Sequence, residues 1–455
     1  MDRSQGRCHF FRTAGTAGGL MALRRLMLCL LLSAGAAWSR GAEIRVTDSP
    51  QLRAALTQLT PGTTLRLEPG VYEGGMYLAD VTGTPEAPAV IQGAEPNDPP
   101  IFRGSGGQAL HLADCSYVVL RNLRVEGFPG NGINIDDGGS FATPAHHVTL
   151  ENVTILRIGP KGNHDALKMS GVDHFAVRRC RFEGWGGSGI DMVGCHHGVV
   201  EDCTFVGRVG FEQSNAVQLK GGTADVLVQC CLFRNAGERC INLGGSTGLQ
   251  FFRPRVQGYE ATGITVAGNR FEGSPSPVAW VTADGGHVHH NTIVLPEKWV
   301  LRILQETQDA QFAPSHGGIF EDNLVFFDGR VQVFVNVGPR TAPETFFFRR
   351  NVWCDVEGSR RPALPIEEQN GVYLSNVGAE AYRRVEIEDA KSEIRSTKSE
   401  TNPQHKLPMF KTLAPDGASR LGFRILGFEF VSDFEIRYSH LISKEQVWND
   451  RMILR

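Results

Sequence analysis

The feature that most limits what this chain can fold into is a repeated marker. Short β-branched runs close on Asn or Cys, and an apolar or Thr position follows within two residues. The marker falls at Asn122, Asn152, Cys180, Cys203, Cys230, Asn269, Asn291, Asn323 and Asn351, at spacings of 30, 28, 23, 27, 39, 22, 32 and 28 residues. A period held within roughly 20–50 residues signals one supersecondary unit stacked many times. The units read as strands and turns punctuated by glycine, with almost no helical periodicity. The expected architecture is therefore an all-β solenoid, whose function would arise from columns of residues on neighbouring coils. Phe (26) outnumbers Tyr (7) and Trp (6) together, which suits a dry, stacked core.

The first 42 residues read as a signal peptide rather than as part of the fold. Arg24-Arg25 precede the apolar run Leu26 to Leu32, and small residues Ser33-Ala34-Gly35-Ala36-Ala37 follow. This order is that of a signal peptide, and the run is too short to span a bilayer. The mature protein is expected to be secreted or periplasmic, with no membrane partner. Loss of 1–42 removes six Arg and one Asp, leaving 40 basic against 48 acidic residues, a net of −8. That charge argues against a surface that coats nucleic acid. Cys180, Cys203 and Cys230 share the phase of the marker asparagines. Coils about 4.8 Å apart would bring these thiols together either as a disulfide or as stacked buried thiols. No CxxC pair and no Cys/His zinc spacing occurs, so no metal site is expected.

Residues 43–75 read as a cap over the open first coil: Ser49-Pro50 starts a short helix over 51–59, and Thr64-Leu65-Arg66-Leu67 is a strand. The Pro69-Gly70-Val71-Tyr72 step, followed by Gly83-Thr84-Pro85 and Pro88-Ala89-Val90-Ile91, resembles the opening of pectin-lyase-like right-handed parallel β-helices. The Gly-Thr-Pro-x-x-Pro stretch is similar to the start of polysaccharide lyase family 6, the alginate and chondroitin lyases. The resemblance implies a right-handed parallel β-helix with an N-terminal cap helix over 43–355. The remaining region, 356–455, is expected to be partly irregular, with a closing strand near Pro408-Met409-Phe410.

The second strand of each coil aligns by its period-two alternation: Gly132-Ile133-Asn134-Ile135-Asp136, Ala166-Leu167-Lys168-Met169-Ser170, Gly189-Ile190-Asp191-Met192-Val193, Ala216-Val217-Gln218-Leu219-Lys220 and Cys240-Ile241-Asn242-Leu243-Gly244. Apolar positions face inward and the others outward. Stacking predicts an outward column Asn134, Lys168, Asp191, Gln218, Asn242, and beside it Asp136, Ser170, Val193, Lys220, Gly244. His164 and Asp165 enter just before Lys168. Such a polar strip suits a linear polysaccharide; a solvated face with Lys168–Asp191 as a cross-coil ion pair is the plainer reading.

Asn215-Ala216-Val217-Gln218-Leu219-Lys220-Gly221 resembles the catalytic coil of polysaccharide lyase family 6, and the resemblance makes Lys220 the base. The family's arginine position is occupied here by Leu243-Gly244-Gly245, which leaves Arg239 as the remaining candidate. Its calcium ligands would fall near Gln213 and Asn215, both neutral, so calcium is a poor fit and no cofactor is expected. β-Elimination needs a base within reach of the proton beside a uronate carboxylate, and a cation to neutralise that carboxylate. Lys220 as base with Lys168 or Arg239 as carboxylate partner meets that need; His164 is the runner-up base. The candidate catalytic set is Lys220, Lys168, His164, Asp191 and Arg239, with Asn134, Asp136, Asp165, Gln218 and Asn242 as substrate-binding residues. The rival is a glycoside hydrolase using Asp136, Asp165 and Asp191. A non-catalytic carbohydrate-binding protein is the third reading, for which Trp185 and Trp280 would be the exposed groove aromatics. In every case the partner is a polysaccharide and the protein a monomer.

Overall fold

A computed structural model describes residues 41–104 and 106–383, and the backbone of 423–425, 428–431 and 435–438. The chain divides into two units, Met1–Ala42 and Glu43–Arg455. The targeting segment expected over 1–42, apart from its last two residues, and the closing strand expected near Pro408 lie outside the described residues.

Alternation of apolar and polar residues makes the strands, and the apolar set decides which face they bury. Three parallel sheets wind along one axis. The first has sixteen strands, from Glu43–Val46 to Phe347–Arg349. The second has ten, from Met76–Ala79 to Val335–Val337, and the third twelve, from Val71–Tyr72 to Val372–Leu374. Successive coils pair in parallel register, so inward positions form columns such as Leu120, Leu150, Val177, Val200 and Val228. Phe182, Phe205, Phe233 and Phe271 stack face on face with centroids 4.8–4.9 Å apart, the coil spacing itself. The third sheet continues one strand past residue 355, because Val372–Leu374 pairs with Val352–Asp355.

The cap forms as its residues dictate. Asp48 is the N-cap and accepts from the Gln51 amide at 2.8 Å, Pro50 sits in the first turn, and Leu52, Ala55 and Leu56 are buried. The helix runs Ser49–Leu56, shorter than the expected 51–59 at its far end, where a turn at Thr57 precedes Pro61.

The turn after the first strand corrects the marker alignment by one residue. Asn122, Asn152, Arg179, Asp202, Cys230, His290, Asp322 and Arg350 share left-handed backbone, with φ between 51° and 57°. Asn and Asp tolerate that region better than most residues. The inward ladder begins one position later: Cys180, Cys203, Cys231, Asn269, Asn291, Asn323 and Asn351. Asn269, Asn291 and Asn323 each donate from their backbone amide to the next Asn Oδ1, at 2.9, 3.0 and 2.9 Å, and Glu368 ends the series. Cys230 is thus an exposed turn residue, and Cys231 takes its expected place. All eight described cysteines are free thiols.

Candidate functional site

The outward face of the ten-stranded sheet carries the predicted column in the predicted register: Asn134 beside Lys168, then Asp191, Gln218 and Asn242. Tyr77 and His111 extend it at one end, and Ala279, Arg302 and Asn336 at the other. In the second column, Asp136 faces Ser170, Ser170 faces Val193, and Val193 faces Lys220.

Four charged side chains converge in the middle. Asp191 receives Lys168 Nζ on Oδ2 and Lys220 Nζ on Oδ1, the latter at 3.0 Å. Lys168 Nζ also lies 3.3 Å from Asp165 Oδ2. Asp165 is fixed from beneath by the Ser188 amide, which donates to Oδ1 at 2.8 Å. Both ammonium groups are drawn onto one carboxylate, rather than held about 10 Å apart as two coil steps would place them. Burial, and then the charge of Asp191, push the Asp165 carboxyl up to about 6. Burial also works against the charge of Lys168, but Asp191 and Asp165 outweigh it and hold the ammonium above the usual lysine range.

The exposure of these groups decides what a ligand meets. Asp165 and Asp191 are 1% and 0% exposed, whereas Lys168 and Lys220 are 22% and 13% exposed. The expectation of a fully solvated column is therefore corrected. Asp191 lies beneath its two lysines, and Asn242 is buried between Arg239 and the Gly244 carbonyl, to which it donates at 3.1 Å. Ion pairs covered this far add little stability over apolar packing. Strongly perturbed groups in a cleft are instead a mark of functional sites.

The other predicted residues have separate surroundings. Gln218 accepts from Lys220 Nζ at 3.2 Å and from Ser188 Oγ at 3.3 Å, so it belongs to the centre. Arg239 is held by Glu306 at 2.7 Å and contacts Asn242, one coil away from Lys220. Asn134 bonds Asn131 and Gln108, and Asp136 pairs with His111 Nε2 at 2.6 Å. His164 sits in the turn against Gly159, next in sequence to Asp165, and is not bonded to either lysine. Trp185 and Trp280 are fully buried, which corrects their reading as groove aromatics; Trp185 donates to the Asn215 carbonyl at 2.7 Å. Calcium does not fit the residues at its expected positions. The Gln213 amide is spent on the Arg208 and Phe211 carbonyls, and Asn215 is buried. Among the described residues no group of three or more His, Cys, Asp or Glu forms a metal cluster.

Sequence reasoning missed the arm that borders this face. Residues 245–260 leave the coil of Asn242 and run back along the solenoid. Arg253 ends four coils away in a bidentate ion pair with Asp137. Gly194 permits this path, since a Cβ there would lie 2.3 Å from Arg253 Cβ. The arm's return is anchored by buried Glu260, which accepts from the Gly221 and Thr247 amides and from the hydroxyls of Thr247 and Thr307. Where the arm reaches the wall there is a recess of about 190 Å³, lined by Asp137, Phe141, Asp173, His196 and Arg253. No solenoid marker lies in 245–260, so only the 39-residue gap between Cys230 and Asn269 betrayed an insertion.

The comparisons agree with this geometry. The family model described as "Right handed beta helix region" matches residues 108–293. A lacto-N-biosidase from Eubacterium ramulus aligns with a TM-score of 0.50 at 13% identity, over 78% of this chain and 70% of that one. An alginate lyase from Paenibacillus sp. aligns at 0.45 and 17%, over 74% and 99%. The family 6 alginate lyase AlyGC aligns at 0.46 and 12%, over 72% and 53%. The parallel sheets and the family model together make the chain a right-handed parallel β-helix, a fold in which it is similar to the lacto-N-biosidase. No curated protein sequence matches it.

Proposed function

We propose that this protein acts outside the cytoplasm on a uronic-acid polysaccharide, bound across the ten-stranded sheet, by lyase-like β-elimination. The observation that carries the reading is that the exposed members of the charged centre are its lysines, while the carboxylates lie beneath. An anionic sugar approaching the sheet meets ammonium groups. In the proposed step, Lys168 takes the substrate carboxylate and stabilises the charge that develops on it. Lys220 Nζ removes the proton from the adjoining carbon. The double bond forms as the glycosidic C–O bond breaks, and the Lys220 ammonium so formed gives its proton to the departing oxygen. Asp191, 3.0 Å from Lys220 Nζ, is placed to accept the lysine's own proton and free its amine.

A hydrolase is the second reading. One observation favours it: the Asp165 carboxyl, pushed up to about 6, has the acidity a general acid requires. It ranks below the lyase because neither Asp165 nor Asp191 presents its carboxylate to a glycosidic oxygen, and Asp136 is engaged by His111.

The test is incubation with alginate, chondroitin and pectate, following the ultraviolet absorbance of unsaturated uronate ends. Lys220→Ala should abolish the signal, and Lys168→Ala, which loses both carboxylate binding and the stabilisation of developing charge, should raise KM and lower kcat together. Reducing sugar released without unsaturated ends would move the assignment to hydrolysis. Retained polymer binding without either product would make the protein a binding module.

A further inference from the structure

The outward face of the twelve-stranded sheet, a different wall from the one above, carries an uneven distribution of charge. Its later strands carry Val294, Leu324, Phe326, Val352 and Cys354 on this face, all buried in an apolar cluster against which Val377 and Tyr382 pack. Its earlier strands carry arginine and glutamate instead. Arg103, Arg124 and Arg157 all converge on Glu126, which is fully buried beneath them. Arg181 and Arg208 hold Glu183, at 2.8 and 2.9 Å. Arg234 and Arg270 hold Glu272, at 2.7 and 2.6 Å. Glu126 and Glu183 lie two coils apart in one register column, and Glu272 three coils further along it. The remaining outward positions of these strands, Thr154, Leu156, Thr204, Val206 and Leu232, are uncharged.

Six exposed guanidinium groups, those of Arg103, Arg124, Arg157, Arg181, Arg208 and Arg234, thus stand over three carboxylates, an excess of three positive charges in one row on a chain whose net charge is −3. The glutamates hold these six arginines in position while their side chains remain 37–53% exposed. Arginine's planar fork matches oxyanion geometry, and a row of such groups spaced by the coil repeat matches a linear polyanion.

We infer that this row is a second binding site, for a linear glycan bearing carboxylate or sulfate groups. It needs no chemistry in the groove and stands independently of it, although one polymer could be the ligand of both. The chain as a whole repels polyanions at long range, so the row acts at short range and its binding weakens with salt.

The test is affinity of the purified protein for four probes: alginate, dextran sulfate, neutral dextran and double-stranded DNA. The informative variant is Arg103→Gln, Arg157→Gln, Arg208→Gln. It leaves Arg124 on Glu126 and Arg181 on Glu183, so neither glutamate loses every partner, and the excess falls from three charges to none. Its affinity for the charged glycans is expected to fall about tenfold or more at low salt. The matched Arg→Lys triple variant, which keeps the charge, is expected to retain most of the binding. The stronger of the alginate and dextran sulfate signals tells carboxylate from sulfate. Wild-type-like binding by the Gln variant, equal binding of neutral dextran, tighter binding of DNA, or no binding of either charged glycan each overturns the inference. Failure of the groove reading appears separately, as absence of unsaturated ends.

Discussion

Single residues in the charged centre have effects that follow from burial. Asp165 is the clearest. Its carboxyl stands at about 6 in the fold, against 3.8 when free. Between those values the native state keeps a proton that the unfolded chain releases. Its stabilising contribution is therefore full below about pH 4 and is lost as pH rises through about 6. The difference is at most about 3 kcal/mol. Asp165→Asn keeps the acceptor for the Ser188 amide and cannot titrate. Urea unfolding from pH 4 to 7 should show wild-type stability falling relative to this variant. Parallel curves would rule out the raised carboxyl. Asp191→Asn removes the one anion shared by two lysines. A loss of about 3–5 kcal/mol is expected, read as a lower denaturation midpoint.

At the scale of the repeating element, two asparagines that look alike in sequence have opposite roles. Asn291 accepts from the Asn269 amide and donates to the Val266 carbonyl, both buried, and to the part-buried His289 carbonyl. Asn291→Ala strands those groups and should cost about 2–4 kcal/mol. Asn152 is exposed at φ 53°, and its side chain donates to Asn122 while its backbone amide keeps the coil-to-coil bond to the Arg178 carbonyl. Asn152→Gly, free of the left-handed penalty, should change stability by less than about 0.5 kcal/mol. Equal losses at the two sites, measured by thermal unfolding, would contradict the one-residue offset described here. The same pair shows what was legible in the sequence. The strand columns were readable because period-two alternation ties Lys168, Asp191 and Gln218 to one face. The turn register was not, because Asn suits both the left-handed position and the inward ladder, and spacing alone cannot separate them. The burial of Asp191 was also hidden, since the lysines over it come from the coils on either side. Trp185 and Trp280 fooled composition for the same reason: nothing local says that a tryptophan at a coil end turns inward.

On the scale of the whole molecule, the arm decides behaviour that no single coil determines. Arg253 and Asp137 are 116 residues apart in sequence, and their pairing closes a loop around three intervening strands of the ten-stranded sheet. Asp137→Ala should release residues 245–260 while leaving the coils intact. Limited proteolysis is then expected to cut near Leu249 and Phe251, the exposed apolar residues of the arm, much faster than in wild type. Unchanged cleavage would show that Glu260 alone holds the segment.

A stack in which each layer touches only its neighbours can melt layer by layer from its ends, because stability is then a sum of local terms. The arm breaks that independence by tying a late layer to one four steps earlier. Layers between Asp137 and Asn242 should open together, with shared hydrogen-exchange rates, while those outside the clasp fray singly. The clasped stretch is also the one that carries the two lysines and their buried aspartates, so rigidity is concentrated where alignment matters most.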